Sequence, residues 1–224
     1  RAVRFMESLD APVIVVPGNH DIYPWWRPVA RLTRPLHQYQ SWITDDMLPA
    51  YSGDNLAVLG VNSAHGWAIK NGWISDEHVE AIISFFQNES SSVYKVLVLH
   101  HHLKSLSRFR RHDVARRAST GLEAVKQSGV DLILCGHLHE SHIEPVRSEQ
   151  GEHQLVVSSA GTASSDRGRG ADAGVNGYNL IEITDDREVI IEQRYDAARG
   201  RFEAYRTSTF NRKTSLTDST VVDE

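Results

Sequence analysis

The sequence predicts an α/β fold, because apolar runs of strand length recur along the chain and segments of helical periodicity separate them. The strand-like runs are residues 12–16, 56–61, 95–99 and 131–134. Residues 3–9 have the pattern of a helix end. Ser75 is a suitable N-cap for a helix that places Val79, Ile82, Ile83 and Phe86 on one face, and residues 121–127 predict a further helix.

The second part of the chain predicts more strands, at residues 155–159, 179–184 and 188–195, which we expect to be antiparallel. Neither an internal repeat nor a linker interrupts the sequence. Residues 207–224 are polar and rich in Ser and Thr, which is typical of a flexible tail. We therefore expect one domain over residues 1–206, followed by a tail over residues 207–224.

Composition narrows the class of protein. The chain has 224 residues, of which 40% are hydrophobic and 24% charged, as in an ordinary soluble domain with a full core. A net charge of −5 disfavours a nucleic-acid polymer as partner. No apolar run approaches the ~20 residues that span a bilayer, so we expect no membrane partner. The lone cysteine, Cys135, excludes an intrachain disulfide and fits a reducing compartment, so we expect a cytoplasmic protein.

Three polar motifs each follow an apolar run directly. They are Gly18-Asn19-His20-Asp21, His100-His101-His102 and Gly136-His137-Leu138-His139. Ligands of open α/β sheets bind beyond the carboxyl ends of the strands, so three such ends would bring these side chains together. Imidazole and amide or carboxylate ligands favour Mn, Fe, Co, Ni or Zn over Mg or Ca. His137 and His139 would project to one side of an extended segment, where two adjacent ions could each take one of them.

These motifs resemble those of the calcineurin-like metallophosphoesterases, close to their bacterial phosphodiesterase branch, which is similar to cyclic-nucleotide phosphodiesterases. The resemblance covers about residues 10–195 and includes residues 176–183, which look like the late strands of the family. It implies two mixed β-sheets packed face to face and flanked by helices, in a four-layer α/β/β/α sandwich. It also implies two divalent transition metal ions as cofactors and a small phosphate ester as substrate.

The resemblance also implies a role for each matching residue. Asn19, His100 and His137 would bind one metal, and His139 would bind the other. His20 would stabilise the phosphoryl transition state or protonate the leaving oxygen, with Asp21 holding the tautomer of His20. The implied reaction is in-line attack on phosphorus by a metal-bridging hydroxide.

Two further motifs of the family, Asp-x-His and Gly-Asp, should precede Gly18, but the 17 residues before it contain neither. A βαβ unit needs about 30 residues, so we expect the first β-α-β portion of the fold to be missing from this chain. Asp76-Glu77-His78 and Gly53-Asp54 match these patterns by letter only, because they belong to a helix start and a turn. With these ligands absent, the second ion would keep only His139, and the activity of this chain alone is open.

Several other residues have two interpretations. His101 and His65 are candidate substrate contacts, His102 is expected to face solvent, and Cys135 is expected in the core. Trp25 and Trp26 could stack on an aromatic substrate group or pack their own loop. The basic segment 104–117 and the pair Arg167 and Arg169 could attract anionic esters to the site or form a solvated surface.

Three functions follow from these patterns. A phosphodiesterase for small phosphodiesters is the first. A phosphomonoesterase, protein phosphatase or nucleotide pyrophosphatase on the same fold is the second, because loops rather than the metal core select the substrate. The third is a non-catalytic scaffold, which the missing motifs favour. The joint presence of Asn19, His100, His137 and His139 argues against a scaffold.

Overall fold

A computed structural model describes residues 2–68, 70–105, 114–146 and 154–212. The strands are β1 (Ala50–Ser52), β2 (Leu56–Val61), β3 (Tyr94–Leu99), β4 (Leu132–Cys135), β5 (His142–Val146), β6 (Leu155–Ser159), β7 (Gly177–Ile183), β8 (Arg187–Asp196) and β9 (Arg201–Asn211). The helices are α1 (Ala2–Glu7), α2 (Pro28–Thr33), α3 (His37–Trp42), α4 (Asp76–Gln87) and α5 (Ala118–Gln127).

Two sheets form the frame of the molecule. The larger has the order β1-β2-β3-β4-β6-β5, in which β2, β3, β4 and β6 run parallel and the two edge strands run antiparallel. The smaller is the antiparallel sheet β7-β8-β9. The predicted α/β class with two packed sheets is therefore confirmed. The expected antiparallel pairing holds for β7 with β8 and for β6 with β5, whereas the other edge of β6 pairs parallel with β4.

Each face of the larger sheet has its own core. On one face the helices α4 and α5 bury Ile82, Phe86 and Val125 against the strands. On the other face Val96, Leu132 and Val156 pack against Ile190 of the smaller sheet. The smaller sheet turns Tyr178 and Leu180 of β7 outward and exposes them.

The helix α4 begins as predicted. The hydroxyl of Ser75 accepts from the backbone N–H of His78, and the His78 ring faces the Ser75 N–H, which together form a capping box. This places Asp76-Glu77-His78 in the first turn of a helix. Gly53-Asp54 lies in the turn before β2. Both segments therefore resemble the family motifs only by letter, as the sequence indicated, and serve as a helix start and a turn.

Residues 12–16 are not a strand, contrary to the prediction. The edge of β2 on that side already pairs with β1, and Gly60 and Asn62 donate to the carbonyls of Pro49 and Met47. Residues 12–16 therefore cannot pair with this edge of β2. Their side chains still reach the sheet, because Ile14 and Val16 occupy the space beside Gly60.

The boundary of the expected tail is also wrong. Residues 207–211 belong to β9, where they pair with residues 187–191 of β8. The polar character of this segment reflects a largely exposed strand and not a loose chain. Residues 213–224 lie outside the described residues. Among the described helices, none combines the length and apolar composition that a transmembrane span requires.

Candidate metal centre

Three of the predicted ligands converge at the carboxyl end of the larger sheet. His100 follows β3 directly, His137 follows β4 after one residue, and Asn19 arrives on the turn of residues 18–21. Oδ1 of Asn19 lies 3.0 Å from Nε2 of His100 and 3.3 Å from Nδ1 of His137. The two imidazole nitrogens are 3.3 Å apart. The sheet thus brings together residues up to 118 positions apart in sequence.

The three contacts between these atoms cannot all be hydrogen bonds at the same time. Each imidazole nitrogen carries one proton or one lone pair, and the amide oxygen is an acceptor. Any choice of tautomers leaves two lone pairs or two protons facing each other in at least one of the three contacts. Ligands about 2.1 Å from a tetrahedral ion lie about 3.4 Å from one another, close to the distances observed here. The donor set of Asn19, His100 and His137 therefore fits a divalent transition metal.

Burial keeps His100 in the form that a metal needs. Burial, followed by the neighbouring histidines, lowers the pKa of His100 from 6.5 to about 3. The imidazole is therefore neutral at physiological pH, and neutral imidazole is the ligand form.

His101 lies next to these ligands, and its ring nitrogens come within 4.8 Å of those of His100 and His137. It is nevertheless not a free ligand. The carbonyl of Lys70 can only accept, so Nε2–H of His101 donates to it at 3.0 Å. Nδ1 of the neutral ring is then the acceptor, and the Ser63 hydroxyl donates to it at 2.9 Å while Oγ accepts from the backbone N–H of His101. His101 is fully buried, so its predicted role as a substrate contact is wrong.

His101 instead packs against two of the candidate ligands. Its ring centroid lies 4.7 Å from that of His100 and 4.6 Å from that of His137, so it packs behind both. Gly72 makes room for it, because a Cβ at Gly72 would lie 2.5 Å from Nδ1 of His101. Neither Ser63 nor Gly72 belongs to a motif that would predict this arrangement.

Two other histidines also differ from expectation. His102 was expected to face solvent, but it is buried, as is the next residue, Leu103. His65 stacks against Trp73 with ring centroids 5.7 Å apart and does not line the cleft described below. Its expected contact with substrate is therefore not found. Cys135 lies in the core, as predicted.

The Gly-His-x-His segment is not extended as predicted. His137 and His139 have φ values of 68° and 58°, in the left-handed region that non-glycine residues seldom adopt. This conformation sends the two imidazoles to different places. His137 points to Asn19 and His100, whereas Nδ1–H of His139 donates to the carbonyl of Arg167 at 3.1 Å. Nε2 of His139 keeps its lone pair, as a ligand for a second ion requires.

The turn that carries Asn19 and His20 is closed by Asp21. The Gly18 N–H donates to the Asp21 carboxylate at 2.8 Å, and the Asp21 N–H donates to the Gly18 carbonyl. Asp21 therefore shapes the turn, and the predicted hydrogen bond to the His20 ring is not present. Gly18 is required here, because a Cβ would lie 2.7 Å from the His100 ring. Gly136, by contrast, has room for a Cβ.

His20 faces the guanidinium of Arg167. Nη1 of Arg167 lies 3.1 Å from Nε2 and 3.4 Å from Nδ1 of the exposed His20 ring. Partial burial and the charges of Arg167 and His139 lower the pKa of His20, while Asp21 raises it. A cation beside the ring thus favours neutral imidazole.

A cleft of about 890 Å³ opens over these residues. Its wall includes Asn19, His20, His137 and His139, so four of the predicted site residues face one space. Trp25, Trp26 and Arg169 line the cleft as well. Trp26 is 81% exposed, and the Arg31 guanidinium lies 4.1 Å from the ring centre of Trp25. The site therefore combines a candidate metal centre with an aromatic and basic wall.

Comparison with known families agrees with this geometry. The model of the calcineurin-like phosphoesterases matches residues 1–141, which is more than half of the chain. The chain belongs to the calcineurin-like phosphoesterase family. Comparison with curated proteins returns no match.

Solved structures with similarity to this calcineurin-like phosphoesterase include a dimetal phosphatase from Danio rerio. It is 12% identical with a TM-score of 0.55, over 88% of this chain and 71% of that one. A predicted phosphoesterase from Streptococcus pneumoniae is 16% identical with a TM-score of 0.31, over 42% and 47%. GAP50 of Plasmodium is 15% identical with a TM-score of 0.45, over 76% and 55%. The chain thus spans about half the length of the latter two.

Proposed function

We propose that this protein is a metal-dependent phosphodiesterase that hydrolyses small phosphodiesters. The observation that carries the proposal is the convergence of Oδ1 of Asn19, Nε2 of His100 and Nδ1 of His137 at 3.0–3.3 Å. Divalent ions, when bound, supply positive charge to phosphate oxygens and lower the pKa of a coordinated water. Asn19, His100 and His137 would hold one ion, and His139 would contribute to the other.

The cleft supports a diester as substrate. Its volume of about 890 Å³ lies at the upper end of the range for small-molecule sites. It leaves room for a substituent on each side of the phosphorus. Trp25 and Trp26 form an apolar wall for one of these substituents, and Arg169 adds positive charge. Together these features favour a small, partly aromatic phosphodiester.

His20 lies where it could contact the reacting phosphoryl group. It shares the cleft with Asn19, and its neutral form suits hydrogen bonding to the transition state better than proton donation. Of its two predicted roles, we therefore assign His20 the stabilisation of the phosphoryl transition state and not the protonation of the leaving oxygen. Asp21 contributes by closing the turn that holds Asn19 and His20 in place.

The test is hydrolysis of bis-p-nitrophenyl phosphate with Mn, Fe, Co, Ni or Zn, compared with hydrolysis of p-nitrophenyl phosphate. We expect turnover of the diester with at least one metal, loss of Mn binding in His100→Ala, and a slower rate with intact Mn binding in His20→Ala. His37→Ala, at an exposed position on α3, is the matched control. Preference for the monoester would indicate a phosphomonoesterase instead. Metal binding without turnover of any ester would indicate a scaffold.

A further inference from the structure

Arg167 contacts both His20 and His139. Its guanidinium reaches His20, as described above, and its carbonyl accepts from His139. The two histidines are thus joined by one residue, which belongs to the loop between β6 and β7. This loop, residues 160–176, is called the arginine loop below.

The guanidinium of Arg167 has donors to spare. It is exposed, and its hydrogen bonds to described residues go only to the His20 ring. Among the described residues it forms no salt bridge with a carboxylate, whereas Arg194, Arg199 and Arg206 each do. A planar guanidinium with free donors, beside a candidate metal centre, matches the geometry of a phosphate group.

The arginine loop is held in place from within the fold by Asp172. The Asp172 carboxylate is buried and accepts two hydrogen bonds, from the backbone N–H of Ser141 and from Nη2 of Arg194, both at 2.5 Å. Ser141 follows the Gly-His-x-His segment, and Arg194 lies on β8. The Asp172 N–H also donates to the carbonyl of Arg169. One carboxylate therefore joins the arginine loop to the metal-ligand segment and to the smaller sheet.

Two glycines allow the arginine loop to lie this close. A Cβ at Gly168 would lie 1.9 Å from the carbonyl oxygen of Asp172, and a Cβ at Gly170 would lie 2.3 Å from the carboxylate of Glu140. Gly170 also has a φ of 54°, which a side chain disfavours. The Arg169 N–H donates to the carbonyl of His139 at 2.9 Å. The glycine-rich sequence thus serves close packing against the ligand segment.

We propose that Arg167 binds the phosphate of the substrate beside His20, and that Asp172 is the positioning residue that holds Arg167 there. The proposal rests on the proposed function, since it assigns the anion-binding group of the same site. It makes Arg167 a specificity determinant for phosphate esters, acting with its side chain on the substrate and with its carbonyl on His139.

The test measures binding of inorganic phosphate to the Mn-loaded protein by calorimetry, together with kcat and KM for bis-p-nitrophenyl phosphate. A hydrogen bond to a charged group is worth about 1.5–3 kcal/mol, so Arg167→Met should weaken phosphate binding by about 10- to 100-fold. Mn affinity should not change, because the backbone carbonyl of Arg167 remains. Arg167→Lys should recover part of the loss, since it keeps the charge but not the planar donors. Arg199→Met, in an exposed ion pair that does not line the cleft, is the control.

Asp172→Asn should weaken phosphate binding by a smaller factor and raise KM more than it lowers kcat. A double-mutant cycle separates this from a general loss of structure. If Asp172 acts through Arg167, Asp172→Asn should have little effect on phosphate binding in the Arg167→Met background. Glu188→Gln removes a buried carboxylate on the same strand as Arg194 and is the control. Should Asp172→Asn fail to fold, Arg194→Met removes the same ion pair from the other side.

The outcomes separate this proposal from the proposed function. Wild-type phosphate binding in Arg167→Met, or an equal effect of Asp172→Asn in both backgrounds, overturns the proposal and leaves the phosphodiesterase assignment intact. Weakened phosphate binding in Arg167→Met without hydrolysis of any ester supports the proposal and overturns the enzyme assignment. Absence of phosphate binding by the Mn-loaded wild-type protein overturns the proposal, and turnover of bis-p-nitrophenyl phosphate decides the enzyme assignment separately.

Discussion

The hydroxyl of Ser63 lies 2.9 Å from Nδ1 of His101, and this contact fixes an imidazole that packs behind two candidate metal ligands. Both groups are buried, and the Ser63 oxygen also accepts from the backbone of His101. The support for the site therefore comes from the segment after β2, at a position that none of the family motifs includes.

Ser63→Ala should weaken the candidate metal centre without touching a ligand. Removal of the hydroxyl leaves Nδ1 of His101 unpaired in the core, which costs about 1–3 kcal/mol of unfolding free energy. Loss of such an outer support typically lowers metal affinity about 10-fold or more. Calorimetric titration with Mn and urea denaturation measure the two effects. Ser41→Ala removes an exposed hydroxyl and is the control. Unchanged Mn affinity would mean that His101 does not orient the ligands.

Gly18→Ala and Gly136→Ala should behave differently, although both positions face His100. A Cβ at Gly18 would lie 2.7 Å from the His100 ring, whereas at Gly136 the nearest atom of that ring is 3.8 Å away. Overpacking of this kind costs about 1–3 kcal/mol and displaces the imidazole. We expect Mn affinity to fall in Gly18→Ala and to stay near the wild-type value in Gly136→Ala. Equal affinities in the two variants would contradict the close approach of the turn to His100.

The unfolding free energy of the metal-free protein should fall steeply in acid. Burial, reinforced by neighbouring histidines, lowers the pKa values of His100, His101 and His102 from 6.5 to about 3, 2 and 4. The unfolded chain therefore binds protons from about pH 6.5 downward, while the folded protein does not. Each group should then lower the unfolding free energy by about 1.4 kcal/mol per pH unit as the pH falls from 6.5 towards the pKa of that group in the folded protein. Urea denaturation with EDTA at pH 7, 6 and 5 measures this slope, and a flat profile would refute the burial of these rings.

The contribution of Glu188 to the unfolding free energy should have the opposite pH dependence. It is 3% exposed between the two sheets, and burial raises its pKa from 4.5 to about 7. The folded protein therefore retains a proton that the unfolded chain loses, so stability is lost as the pH rises from 4.5 to 7. Glu188→Gln should remove this loss and stabilise the protein at pH 8 by up to about 3 kcal/mol, with the difference disappearing near pH 4.5. Denaturation of both proteins at pH 8 and pH 5 provides the comparison.

The sequence could predict the buried elements because burial leaves a local pattern. The strands β2 and β3 are covered on both faces and read as continuous apolar runs, while α4 shows its N-cap and its apolar face. The exposed elements leave no such pattern. The strand β1 has all three residues exposed, and most of β9 is exposed as well, so both were missed.

The same distinction applies to the site. The polar residues that follow apolar runs predict a common site, and the structure brings Asn19, His100 and His137 together. Asp21 and His101 lie in the same motifs, yet their partners are a backbone N–H and a distant serine, which no spacing reveals. Asp172 contacts Ser141 and Arg194 across three separate segments. Contacts of this kind depend on the fold as a whole.

The left-handed backbone at His137 and His139 limits which residues could replace these histidines if the site were redesigned for another metal ion. Asn and Asp tolerate this conformation better than most residues, whereas bulky side chains pay a steric penalty. A combinatorial library at the two positions, selected for binding of a new ion, should therefore return Asn and Asp more often than Glu or Cys. Retuning towards thiolate-preferring ions would first require a different backbone path between β4 and β5.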